Sequence, residues 1–297
     1  MPSLTDLEQF FVTGLSLGAV YALSGVGMVV LYRCTGVLNL AFGAVGALGA
    51  LIAWQLINHG MSFWPAAVVA VLVGGVLTLA YGMVFGPALA HRDPLVKATA
   101  TLGLTLILLG AMDLLWPSSG GASRALTIPT DNNTFQIGQI SVTYTNVIAL
   151  ALGLVITVVT AAFLRYSKLG TAMRAMANDR DITASLGVPV RRVTAAAWFG
   201  CGVLSGVAGV LLADLVALDA TSLTFLVIFT LAAALIARLR SIVITFVAAL
   251  VIGLIDAELT PVTSLSNYRD MTPFVLAVIA LLVLNRRRVI AVGRQGV

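Results

Sequence analysis

Five cations fall within one short polar run of an otherwise apolar chain: Lys168, Arg174, Arg180, Arg191 and Arg192. The run spans Ser167 to Val193 and reads SKLGTAMRAMANDRDITASLGVPVRRV, with long apolar segments on both sides. Cations beside small and soft apolar residues offer docking chemistry: a surface that a partner's groove can hold. Residues 171–178 are expected to form a short helix, with Ala172, Met173 and Met176 on one face and Arg174 and Asn178 elsewhere. Asp179 or Asp181 can cap a second short helix that ends at Gly187, ahead of Pro189. Methionine suits a surface that must fit an irregular partner. An ordinary positively charged loop would explain the cations, but neither the caps nor the apolar stripe.

Other chemistry-bearing residues are sparse. His59 and His91 are isolated, so no metal centre is expected. Ser24 and Ser205 have no His or acid nearby in sequence, which leaves nucleophilic catalysis without support. No phosphate-binding G-x-x-x-x-G-K-[ST] run is present, and Gly25-Val26-Gly27 lies inside an apolar segment and not after a strand. No cofactor is implied, and the chain is not expected to be an enzyme on its own. Ionisable groups at membrane depth mark coupled transport. Asp113, Asp214 and Asp256 all fall near segment ends and are expected at the interface. Asn39, with Gly36 and Gly43 around it, has two readings: an unwound stretch that offers polar groups to a solute, or a cap on the helix that follows.

The elements that must position these residues are set by composition. The chain has 297 residues, 60% hydrophobic and only 10% charged, with a mean hydropathy of +1.05. Soluble domains carry roughly 25% charged residues, so a soluble fold is excluded. Backbone in lipid must be satisfied internally, by helices or a closed barrel. The apolar runs are continuous and not alternating, which selects helices. No cleavable signal is read in residues 1–9, which carry Asp6 and Glu8 and no basic residue. Cys34 and Cys201 sit in different segments, so neither a disulfide framework nor a metal site is expected.

The expected fold is all-α, a polytopic membrane bundle of about nine transmembrane helices, with eight to ten as the range. The spans fall near 10–31, 38–57, 64–88, 97–116, 143–164, 194–213, 223–237, 241–258 and 272–285. The positive-inside rule then places fifteen of the seventeen Lys and Arg residues on one side, leaving only Arg124 and Arg269 on the other. That puts the N-terminus outside and the C-terminus in the cytoplasm. The net charge of +5 reflects this topology, and no nucleic-acid partner is implied. Residues 117–142 become the longest external loop. Gly14 and Gly18, Gly43, Gly46 and Gly49, Gly82 and Gly86, and Gly202, Gly206 and Gly209 recur at close-packing spacing, as helices packed in a lipid bilayer require.

On these residues the chain resembles the permease subunits of bacterial branched-chain amino-acid ABC importers. Lys168-Leu169-Gly170, Arg174-Ala175, Asn178-Asp179 and Leu186-Gly187-Val188 are similar to that family's coupling loop. Gly18-Ala19-Val20-Tyr21-Ala22-Leu23, Gly36 through Gly43 and Gly206 through Leu212 match as well. The resemblance implies a single permease domain over 1–297, with a cytoplasmic coupling loop at 166–192. It implies two ATP-binding subunits docked on that loop, a second permease subunit (identical or homologous), and an external solute-binding protein. Gly170, Arg174, Ala175, Asn178, Asp179 and Gly187 would be the coupling residues. Arg174 would bond to the ATPase groove, and Asn39, Gly36 and Gly43 would lie on the translocation path. The site would be the bacterial inner membrane.

The chain departs from the family at two places. Ala232 through Ser241 carries Ala and Arg where the family has a Gly-Gly-x-Gly-Ser type turn, so no tight turn is expected there. Position 42 is Phe where a polar residue is common. Both leave the small polar solute open: a branched-chain or related amino acid, urea, a short amide, or another small polar acid. A self-sufficient secondary transporter or channel is the competing reading, and a non-transporting scaffold is a third.

Overall fold

The computed structural model describes residues 4–117, 124–130, 134–137, 140–216 and 218–260, together with 271, 274–279 and 282. Six helices are long and apolar enough to cross a membrane: α1 (Leu4–Thr35), α3 (Phe63–Leu89), α4 (Pro94–Leu115), α5 (Tyr144–Tyr166), α8 (Val190–Leu215) and α11 (Ile242–Leu259). Two apolar segments are shorter: α2 (Phe42–Asn58), and the pair α9 (Ala220–Phe225) and α10 (Val227–Ile236), interrupted at Leu226. Between α5 and α8 lie α6 (Lys168–Asn178) and α7 (Arg180–Ser185). Eight of the nine expected spans coincide with a helix or helix pair given above. For 272–285 only 274–279 and 282 are described, all helical, so nine crossings are not reached among the described residues.

One boundary moved for a physical reason. The second span was expected from residue 38, but 36–41 is not helical and α2 begins at Phe42. Gly36 closes α1 in the left-handed region at φ 67°, where only glycine sits without a steric penalty. The long polar connection after α4 also holds a hairpin, β1 (Thr134–Ile137) paired antiparallel with β2 (Ile140–Thr143), in register from Thr134 with Thr143 to Ile137 with Ile140. Its Ile, Val, Thr and Phe residues favour a pleated surface. It is the one addition to an otherwise helical chain among the described residues.

Packing sorts the helices into an inner set and an outer one. α1 is almost wholly buried, and α8 runs against α1, α2 and α3. Close approach depends on missing side chains. A Cβ on Gly18 would stand 2.8 Å from Leu250 Cα of α11, and one on Gly206 would stand 2.7 Å from Val71 Cα of α3. Without a hydrophobic drive between helices in lipid, such backbone-to-backbone seams supply the dispersion contacts. Thr78 Oγ1 adds a polar tie, 2.9 Å from both the Gly74 and the Trp198 carbonyl oxygens. α3, α4 and α5 turn Leu72, Val76, Leu106, Ile107, Val158 and Val159 outward, the face that lipid would cover.

The sequence reading needs correction at two further points. Asp256, expected at the interface, is fully buried, because α11 lies flush on α1 through Gly14 and Gly253 and draws its last turns inside. Asp113 is exposed as expected. Asp214 is half-buried and accepts the Ile128 amide at 2.7 Å, pinning the long connection to the end of α8. Secondly, a tight turn does form between α10 and α11 without glycine. Arg238 and Leu239 both take positive φ, 52° and 55°, while the Leu239 amide reaches the Ala234 carbonyl at 2.8 Å and Ser241 caps α11. Helix ends satisfy their last carbonyls by such left-handed closures, here at a steric cost of about 1–2 kcal/mol per residue.

Candidate functional site

The polar run folds as two capped helices set against the end of α5. Ser167 begins α6, its Oγ accepting the Gly170 amide at 2.8 Å. Gly170 lies against the Phe163 carbonyl and Leu164 Cα, so that any side chain would push α6 off α5. Between the two possible caps the structure selects Asp179: its Oδ1 accepts the Asp181 and Ile182 amides, both at 2.9 Å. Gly187 then stops α7 at φ 82°. The two helices are thus fixed by local hydrogen bonds.

Their faces differ from the sequence reading. Met173 and Met176 are buried, holding α6 onto the bundle, so the methionine stripe is not an outward docking surface. The large apolar side chains exposed in this run are Ile182 of α7 and Leu186, its C-cap residue. Their i, i+4 spacing in a polar run was the available signal for one helical face. Arg174 is exposed; its guanidinium donates to the Arg165 carbonyl at 3.2 Å and lies 3.4 Å from Thr171 Oγ1. A cation on the final carbonyls of α5 complements that helix end. Ala175 is half-buried, and Asn178 is exposed beside a large cavity.

Residues 36–41 form the second element. Asn39 is buried, and its amide reaches Cys201 Sγ at 3.5 Å, halfway along α8. The Phe42 carbonyl accepts from Ser205 Oγ at the same depth. Non-helical backbone at membrane depth must find partners within the protein, and here they are specific. Thr101 Oγ1 of α4 donates to the Leu38 carbonyl at 2.8 Å and accepts the Leu40 amide at 3.1 Å. The Val37 amide reaches Thr35 Oγ1, and the Ala41 amide reaches Asn39 Oδ1, each at 3.1 Å. Asn39 thus lies in a non-helical stretch and is not the cap of α2: the N-cap is Ala41, which receives no side-chain cap, and Asn39 only holds the Ala41 amide. Thr101 was missed because nothing in the sequence ties a threonine of one span to the backbone of another.

Beyond this segment the interior closes. Gly43 lies directly on the Thr224 backbone, where α9 gives way to α10. The Thr224 hydroxyl is buried with no hydrogen-bond partner among the described residues. The adjacent cavity, lined by Ser24, Gly43, Ser205 and Thr230, is ≈ 10 Å³, about the space one water needs. Two interrupted crossings thus meet at one narrow point, the arrangement by which transporters present backbone groups to a solute.

On the other side of residues 36–41 the chain opens. A cavity of ≈ 840 Å³ is lined by Arg33, Lys97, Arg180, Arg238 and Arg240, with Asn178 and Gly36. A second, of ≈ 310 Å³, lies between Arg33, Arg165, Arg174 and Arg240. Seven cations assigned to one side by sequence are thereby gathered at one end of the bundle. Among the described residues no three His, Cys, Asp or Glu side chains come together as a metal site, and His59 is exposed, its Nδ1 2.9 Å from the Gln55 carbonyl.

The family described as branched-chain amino acid transport system, permease component, matches residues 10–284. The chain is 26% identical to the high-affinity branched-chain amino acid transport system permease protein LivH of Escherichia coli K12, over 94% of this chain and 93% of that one. It is also 26% identical to BraD of Pseudomonas aeruginosa, a permease protein of the same description, over 95% of each. A probable branched-chain amino acid transport permease of Methanocaldococcus jannaschii is 24% identical over 80% of this chain and 76% of its own. No solved structure matches.

Proposed function

The chain belongs to the branched-chain amino acid transport permease family, and on that premise we propose that it is the membrane-spanning subunit of an ATP-driven importer in the bacterial inner membrane. The solute is a small polar one, a branched-chain or related amino acid. The whole chain acts as one permease domain, with its N-terminus outside and residues 166–192 as the cytoplasmic coupling loop. It pairs with a second permease subunit, binds two ATP-binding subunits, and receives solute from an external binding protein.

The observation that carries this reading is the capped pair α6–α7. Ser167, Asp179 and Gly187 fix its ends, while Gly170 seats it directly on α5. A rigid pair seated on a crossing helix can pass a displacement from a docked ATPase into the bundle. In this reading Arg174 ties the loop to α5, and Ala175, Asn178 and the exposed α7 face meet the partner. Gly36, Asn39 and Gly43 lie along the solute's route, where backbone polar groups are within reach.

The test is affinity purification from the native membrane in mild detergent, followed by reconstitution. A stoichiometric ATPase, a second permease and ATP-dependent uptake are expected. Asp256, fully buried in α11, is the observation that favours a self-sufficient secondary transporter. A chain that comes out alone and supports flux in liposomes without ATP would establish that second reading.

A further inference from the structure

Lys97 is a buried cation to which the coupling reading gives no role. It is only 9% exposed, and a Cβ on Gly36 would stand 3.4 Å from its Nζ. No hydrogen bond or ion pair joins its side chain to any described residue. The ≈ 840 Å³ cavity it lines adds Arg33, Arg180, Arg238 and Arg240, and no carboxylate is among the described lining residues. Asp179, beside Asn178 and Arg180 in sequence, has its Oδ1 engaged by the amides of α7. The Lys97 ammonium opens onto that cavity, where the neighbouring guanidiniums add repulsion that an anion would relieve. Low-dielectric walls lined by one sign of charge concentrate the opposite one.

We propose that this cavity is a binding site for a small organic anion bearing one or two carboxylates, with Lys97 as its innermost contact. The guanidiniums around it present the fork that a carboxylate accepts in bidentate fashion. A zwitterionic amino acid would bring a further positive charge beside Arg33, Lys97, Arg180 and Arg240, so the site favours a net anion over a neutral solute. Lys97 stands beside Gly36, where the unwound stretch begins, so an anionic solute would pass it. That consequence rests on the transport reading, whereas the binding itself does not. The oxyanion can come free from water or from an acidic lipid headgroup, and the test separates the two.

The full-length chain is placed in phosphatidylcholine nanodiscs and titrated with radiolabelled succinate by equilibrium dialysis. Saturable binding is expected, weakened at least roughly tenfold in Lys97→Gln and in Arg180→Gln. It should be unchanged in Arg92→Gln, an exposed cation near the start of α4 that does not line the cavity. Lys97→Arg keeps the charge and should still bind, which separates loss of the site from loss of the fold. L-Leucine should not displace the succinate. Phosphatidylglycerol that displaces succinate and stays with the protein in native mass spectrometry, but not with Lys97→Gln, would identify a headgroup as the occupant of the same site. Neither succinate binding nor retained phosphatidylglycerol, or equal binding by the wild type and Lys97→Gln, overturns the proposal. Dialysis requires no ATPase, so a failure of the importer reading would leave this result unaffected.

Discussion

Thr101 of α4 donates its hydroxyl to the Leu38 carbonyl at 2.8 Å, and the same oxygen takes the Leu40 amide at 3.1 Å. One side chain thus does for residues 38–40 what a neighbouring strand would do. Without it, two backbone groups of a non-helical stretch would be buried unsatisfied.

The size of that effect follows from what is removed. Thr101→Val keeps the shape and deletes the hydroxyl, and each orphaned buried group costs about 1–3 kcal/mol. A lower melting temperature and reduced uptake are expected in the reconstituted protein. Thr101→Ser should recover most of both. A Val variant that melts and transports like the wild type would show that residues 36–41 do not depend on this contact.

The Asp179 cap gives a local counterpart. Replacing an N-cap carboxylate by Ala costs about 1 kcal/mol of helix stability, and α7 has only six residues over which to absorb it. Asp179→Ala should fray α7, seen as faster amide exchange at Asp181 and Ile182, with little change in global melting. ATP-driven uptake should fall, and Asp179→Asn, which retains the accepting oxygen, should rescue it. Slow exchange in the Ala variant would rule out the cap as what orders the loop.

Ile182 of α7 and its C-cap residue Leu186 form an exposed apolar pair, at 60% and 77%. The double change Ile182→Ser with Leu186→Ser removes that surface and leaves buried Thr183 and the Asp179 cap untouched. Pull-down of the ATP-binding subunits should weaken, while the stability of the permease stays within about 0.5 kcal/mol of the wild type, as for surface positions generally. Undiminished recovery of the ATPases would move the docking face elsewhere.

How much of this was legible depends on whether the cause was local. The caps at Ser167 and Asp179 and the stop at Gly187 are short-range hydrogen bonds and backbone geometry, so residue type and spacing announce them. The apolar helices follow from composition, and the gathering of Arg33, Lys97, Arg180, Arg238 and Arg240 follows from the side to which each span end belongs. What escaped was long-range. That Thr101 serves Leu38, that Asn39 meets Cys201, and that Met173 and Met176 face inward all depend on which helices are neighbours. The turn at Arg238 and Leu239 escaped for another reason: tertiary packing held a left-handed closure that local preference argues against.

That turn allows a test with the opposite sign. Arg238 sits at φ 52° with its side chain exposed, in a region where a Cβ costs about 1–2 kcal/mol. Glycine carries no such penalty, though it gives back about 0.5–1 kcal/mol through the greater freedom of the unfolded chain. On backbone strain alone, Arg238→Gly should therefore raise the melting temperature slightly, by a net gain of up to about 1.5 kcal/mol. Removing a lining cation should at the same time weaken succinate binding in the adjacent cavity. A variant that melts lower than the wild type would mean that the Arg238 side chain itself holds the turn, outweighing its backbone strain.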